Sequence, residues 1–261
     1  MTAKAVLDLA KLHNSKSSTL IFPTIYPSSI ETMRAAMALC VEAMRSSDLI
    51  GGINLEGPFL NPSRCGALDK KSFLAPSLRS FKILVSGFED EIKIMTIAPE
   101  LPGALKLIER CASMGIRVNM GHSDATYKQA LAGKKAGATG VTHIFNAMRP
   151  FHHREPGLAG FALIDEDIYV ELIGDGAHVS PEAVRMVFKL KGPDRIILVS
   201  DSVKGKTGGP VMKNEKLAGG GLTLAECAPV LRKIGISPEA IHKAVHDSPL
   251  KYLGLKKAPF R

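Results

Sequence analysis

Ile116-Arg117-Val118-Asn119-Met120 is a short β-rich run, and the next residues, Gly121-His122-Ser123-Asp124, form a polar turn carrying titratable side chains. Six more apolar runs follow the same plan, at 18–22, 50–55, 92–97, 140–144, 168–173 and 195–199. Each gives way to polar residues or to Gly and Pro, as at the ends of buried parallel strands. Between them lie helical patterns at 29–45, 101–114, 125–135 and 181–191; the first places Ile30, Met33, Met37 and Val41 on one face. Ser180-Pro181 reads as a helix start, a hydroxyl cap followed by a proline in the first turn. Alternating strands and helices with short connections indicate a parallel α/β fold. Seven strands in series favour a barrel over an open sheet, although periodicity does not separate the two. Two further helices, 222–234 and 238–245, close the pattern with no strand after them, and the expectation is one domain over 1–261.

Composition narrows the function. The chain has 261 residues, 45% hydrophobic and 23% charged, an ordinary globular balance. No apolar run reaches the ~18 residues of a membrane span, and residues 1–8 lack the pattern of a signal peptide, so a cytoplasmic protein is expected. Cys40, Cys65, Cys111 and Cys227 are scattered without a CxxC pair and read as reduced packing residues. The net charge of +9 favours anionic ligands. Aromatics are 5% and Trp is absent, which argues against nucleic acid and leaves a small anionic substrate.

Polar groups recur where strands leave the core: Glu56 after the second run, His122 after the fourth, His143 in the fifth, Asp175 and His178 after the sixth, and Asp201 after the seventh. In a β/α barrel those ends converge on one face. A Glu, two His and an Asp there suit a divalent metal and a proton carrier. Taken singly, each residue also fits a hydrogen-bonded strand end, a turn or a helix cap. Four such coincidences on four strands weaken that plainer account jointly.

Four motifs go further. Leu55-Glu56-Gly57-Pro58-Phe59-Leu60-Asn61-Pro62, Gly121-His122-Ser123-Asp124-Ala125-Thr126, Thr142-His143-Ile144-Phe145-Asn146-Ala147-Met148 and Arg154-Glu155-Pro156-Gly157-Leu158-Ala159-Gly160 resemble the N-acetylglucosamine-6-phosphate deacetylases. These are TIM-like (β/α)8 barrels of the metal-dependent amidohydrolase type. The resemblance runs from about residue 9 to about 255. It implies one divalent ion on Glu56, His122 and His143, zinc first, with iron, manganese and cobalt also suited to oxygen and imidazole donors. It implies Asp201 as the acid and base of acetamide hydrolysis and His178 as a group near the substrate carbonyl. Asn146 and Ala147 match phosphate contacts, and Arg154 an arginine reaching the neighbouring subunit's phosphate, hence a homodimer. Gly66-Ala67 matches a sugar contact and Ala218-Gly219 one near the acetyl group, while His152 and His153 read as an exposed loop pair.

The match has gaps. Family members begin with a small β domain and a first barrel strand that often carries His-x-His; neither is read here. The expectations are a truncated barrel, a single metal, and bare strand edges at 18–22 and 196–199. Leu68 stands where the family has His, Gly219-Gly220-Gly221-Leu222-Thr223 replaces a Gly-Ser type sequence, and the stretch 203–217 is short. Three readings follow: removal of acetate from N-acetylglucosamine 6-phosphate, hydrolysis of another acylated amine, or a non-catalytic relative that binds sugar phosphate.

Overall fold

The computed structural model describes residues 2–203, 209–213 and 215–255. Seven parallel strands pair in chain order: β1 (Thr24–Ile25), β2 (Ile53–Leu55), β3 (Ile92–Ile97), β4 (Arg117–Met120), β5 (Gly140–Val141), β6 (Tyr169–Ile173) and β7 (Ile196–Val199). The third expected run coincides with β3. The first does not: residues 18–22 contribute only a bridge from Ile21 to Ile50, and β1 begins after Pro23. Pro23 has no N–H to give to the ladder, although its carbonyl accepts from Asn54 at 3.1 Å. The fifth run ends early because the backbone turns at His143, where φ is 27°.

Capping fixes the helices. In α2 (Ile30–Met44) the Ser29 side chain accepts from the Thr32 N–H, and Met33, Met37, Cys40 and Ala43 form the buried stripe. The start of α4 (Ala104–Ser113) is later than the pattern suggests, since Gly103 sits at φ 85°. Capping boxes open α5 (Tyr127–Lys135), through Thr126 and Gln129, and α8 (Leu224–Ile234), through Thr223 and Glu226. Ser180 and Pro181 start α7 (Pro181–Lys191) as expected. The chain begins with α1 (Ala3–Ser15). At the other end, α9 (Pro238–His242) continues through a π-turn (Lys243–Asp247) into α10 (Ser248–Leu253). Several elements lie outside the expected patterns, among them α1, α10, α3 (Leu78–Val85), α6 (Gly157–Ile164) and the hairpin of β8 (Val211–Lys213) with β9 (Lys216–Gly219). Residues 157–163 of α6 are all buried, so the helix has no polar face and no amphipathic period.

The sheet does not close. Among the described residues β1 pairs only with β2 and β7 only with β6. It curls nonetheless. Strands β2 and β7 are five steps apart, roughly 24 Å in a flat sheet, yet the charges of Glu56 and Asp201 at their ends act on each other and both act on Tyr26 after β1. Helix α1 spans the opening: His13 Nε2 meets Ser202 Oγ at 3.1 Å, and Lys16 faces Glu226 at 3.7 Å. The expected bare edge at 196–199 is softened, because Ile196, Ile197 and Leu198 are buried, with the π-turn and α10 packed against β7. The short stretch 203–217 lies partly outside the described residues, at 204–208 and 214. No helix among the described residues is long and apolar enough to cross a membrane.

Candidate active site

Strand ends bring the chemistry together. Glu56 follows β2, His122 follows β4 and His143 follows β5; all three are buried, and one ligand atom from each lies within 4.8 Å of the others. Glu56 Oε1 stands 2.8 Å from His122 Nε2 and 3.1 Å from His143 Nε2. The rings meet edge to face, their centroids 5.0 Å apart. His122, His143 and Asp201 all have positive φ, at 45°, 27° and 45°. Non-glycine residues there cost about 1–3 kcal/mol each, so surrounding contacts must hold them.

The donor set fits a divalent cation by its proton count. His122 Nδ1 lies 2.9 Å from the Arg64 carbonyl, which only accepts, so Nδ1 carries a proton. In a neutral ring Nε2 then offers a lone pair towards Glu56 Oε1, another lone pair. A cation shared by the two turns that opposition into ligation, and the carbonyl contact fixes the ring as a metal-binding His requires. Burial alone would raise the Glu56 carboxyl, but the hydrogen bonds and charges of His122 and His143 bring it well below the ordinary range. Burial would lower His143, but its contact with Glu56 raises it to about 9. His143 Nδ1 is buried without a partner among the described residues.

Asp201 follows β7, near enough for its charge to act on His143 and for that of Glu56 to act on it. Burial first, then the charge of Glu56, pushes its carboxyl up to about 6. Its carbonyl accepts from Gly220 N–H at 2.7 Å, which sets β9 and the following glycines against it. A Cβ on Gly219 would come within 2.8 Å of that carbonyl oxygen, so the Gly-rich departure at 219–221 answers a close backbone approach. His178 Nδ1 meets Asp175 Oδ2 at 2.7 Å, and Asp175 Oδ1 accepts from the N–H groups of Ala177 and His178. Burial opposes it, but these bonds lower Asp175 to about 2.

The other expected contacts divide. Gly66 is close to both Ala147 and His122: a Cβ on it would lie 3.3 Å from Ala147 Cβ and 3.6 Å from His122 Cε1. Beside it opens a cavity of about 460 Å³ lined by Cys65–Lys70, Asp69 among them, and by Lys213 of β8. Ala218 and Gly219 close β9 on the Asp201 side. The amide of Asn146, however, donates to the His143 and Ile144 carbonyls at 3.3 Å, so this donor is turned inward. Arg154 is exposed, its guanidinium on His153 Nε2 at 3.3 Å, with the His152 and His153 rings 4.2 Å apart.

Sequence reasoning assigned no role to three supporting carboxylates. Asp175 orients His178, and its position three residues ahead in a strand-end loop was a readable signal. Glu171, a charged residue inside the apolar run of β6, accepts from Asn119 Nδ2 at 2.7 Å. Glu100 binds the loops on either side of His122, accepting from Asn61 Nδ2, Ser123 Oγ and the Asp124 N–H at 2.9, 2.7 and 2.6 Å; only the fold brings these together.

No family model matches the chain. Among solved structures, N-acetyl-D-glucosamine-6-phosphate deacetylase from Mycobacterium smegmatis superposes with a TM-score of 0.88 and 30% identity, covering 95% of this chain and 72% of that one. The chain belongs to the N-acetylglucosamine-6-phosphate deacetylase family. A variant of the same enzyme in complex with N-acetyl-D-glucosamine-6-phosphate gives 0.89 at 29% identity. Curated family relatives include the Bacillus subtilis deacetylase, 41% identical over 169 residues, 63% of this chain and 43% of the relative. The Lysinibacillus sphaericus deacetylase is 34% identical over 200 residues, 70% of this chain and 52% of the relative. The chain thus spans about half the length of these two curated relatives.

Proposed function

We propose that residues 1–261 form a single metal-dependent hydrolase barrel domain that removes acetate from N-acetylglucosamine 6-phosphate. The observation that carries this reading is the meeting of Glu56, His122 and His143 beside Asp201, from the ends of four strands. Glu56, His122 and His143 would hold one divalent cation, with zinc preferred and iron, manganese or cobalt as alternatives. When bound, such an ion supplies Lewis-acid polarisation and acidifies water near neutral pH.

The residues of the chain do the rest. Asp201 takes a proton from the water attacking the acetamide carbonyl and returns it to the departing sugar nitrogen as the C–N bond breaks. His178, its Nδ1–H directed to Asp175, stabilises the charge developing on the carbonyl oxygen as an imidazolium that donates from Nε2. Gly66, Ala67, Ala218 and Gly219 present backbone close to the sugar and acetyl group. The 6-phosphate falls to Ala147, to Asn146 once its amide turns outward, and to Arg154 from a second copy of the chain.

Purified chain with added zinc should release acetate from this sugar, and Asp201→Asn should slow that release at least ~10²-fold. Folded, metal-loaded chain with no turnover would refute the assignment. N-acetylgalactosamine 6-phosphate belongs in the same assay, because an Escherichia coli O157:H7 relative named for that substrate is 32% identical over 207 residues. The dimer has its own test: mixing Asp201→Asn with Arg154→Ala should restore activity, since one site then joins an intact Asp201 to its neighbour's Arg154. Absence of complementation, with both variants folded and mixed subunits verified, would remove the shared site.

A further inference from the structure

We infer that His242, His246 and Asp247 form a second divalent-cation site, on the outer surface of the barrel and apart from the cluster at the strand ends. One donor atom from each residue lies within 4.8 Å of the other two, close to the spacing that a single ion at about 2 Å from each would impose. The local backbone explains the convergence. His242 ends α9, and His246 and Asp247 belong to the π-turn, whose wider winding sets residue i+4 almost over residue i. The two imidazoles accordingly stack, their centroids 5.1 Å apart and their planes 18° from parallel.

The scaffold beneath is fixed. Ala244 is buried, Ser248 Oγ donates to the Pro193 carbonyl at 2.7 Å, and Lys243 turns its ammonium to Asp194 at 3.3 Å. That last pairing holds the Lys243 ammonium on Asp194. His246 Nδ1 donates to Asp247 Oδ1 at 2.9 Å; an incoming ion replaces that proton and takes both atoms as ligands. The side chains of His246 and Asp247 are 41% and 54% exposed, so water completes the coordination and the ion enters freely. Two imidazoles and one carboxylate favour zinc, nickel(II) or copper(II) over magnesium or calcium. Such an ion would tie α9 to the π-turn at the N-terminal side of β7, away from Asp201.

The test is metal stoichiometry on the whole, metal-stripped chain, by calorimetric titration with zinc and with nickel(II). The parent should bind one equivalent more than either His242→Ala or His246→Ala, while Asp247→Asn should keep the site with weaker affinity. Copper(II) filling the weaker site should show hyperfine coupling to two nitrogens in its paramagnetic resonance spectrum. A joint His152→Ala, His153→Ala variant removes the other exposed histidine pair and should leave the count unchanged. Unaltered stoichiometry in folded His242→Ala and His246→Ala, or an extra equivalent lost with His152 and His153 instead, would overturn the inference.

Discussion

Replacing Glu171 by Gln should stabilise the metal-stripped protein at alkaline pH and leave it nearly unchanged at acid pH. Glu171 is 8% exposed, and its Oε1 accepts from Asn119, whose Oδ1 accepts in turn from the Tyr252 hydroxyl at 2.5 Å. Burial first, with the charges of Asp201 and Glu56, raises its carboxyl from 4.5 to about 7 despite the opposing pull of His143 and Asn119. A pKa raised on folding means stability that is full below about 4.5 and lost as pH climbs through 7. The span from 4.5 to about 7 corresponds to about 3 kcal/mol once both states are ionised. Gln keeps an oxygen for Asn119 and never ionises. Urea denaturation of parent and Glu171→Gln in chelator should therefore give a difference of about 3 kcal/mol at pH 8.5 and under about 1 kcal/mol at pH 5. Chelator matters, because a cation beside His143 would pull the carboxylate back down. An equal gap at both pH values would refute the reasoning, because the effect would then be packing rather than charge.

Three further outcomes follow from the structure. Asp175→Ala frees the His178 ring and should lower kcat on the 6-phosphate ester about 10- to 100-fold with little change in KM. Because Asp175 is held at about 2 against an ordinary 3.8, its share of stability, about 2 kcal/mol, is present above pH 4 and fades as pH falls towards 2; acid titration of parent against Asp175→Ala checks the sign. Phe161→Ala should cost about 3–5 kcal/mol in urea denaturation, since that ring is fully buried and packs edge-on to Tyr127 with centroids 5.5 Å apart.

What the sequence showed and what it hid divide along physical lines. Runs such as 92–97 and helices such as Pro181–Lys191 were legible because strand composition, a hydroxyl cap and a proline act locally. The trio of Glu56, His122 and His143 was legible as residue types at strand ends, each within a few residues of an apolar run. Helix α6 was hidden because burial on every side erases periodicity, and the first strand was misplaced because Pro23 interrupts its ladder. The inward turn of the Asn146 amide and the grip of Glu100 on the His122 loop come from tertiary contacts, with no local pattern to announce them. The left-handed backbone at His122, His143 and Asp201 was equally silent, since none of these is the glycine that such a conformation favours.

The charges at the strand ends give the strongest reason for treating these side chains as one unit. The charge of Glu56 acts on Asp201, both act on Glu171, and His143 acts on all three; Glu56 and Glu171 are buried and Asp201 is half-buried. Its contacts with both imidazoles keep Glu56 ionised, while burial first, and then the charge of Glu56, raises Asp201 to about 6 and Glu171 to about 7. Two positive charges added at Glu56, His122 and His143 would reverse that pressure and bring Asp201 back towards its ordinary range. The prediction is directional and separable from turnover: the Asp201 carboxyl, followed by carbon-detected NMR, should titrate near pH 6 in the stripped chain and lower in the loaded one. If loading left that titration unmoved, the cation would be binding away from the Glu56 cluster, and the proposed pairing of Lewis acid with proton carrier would fall with it.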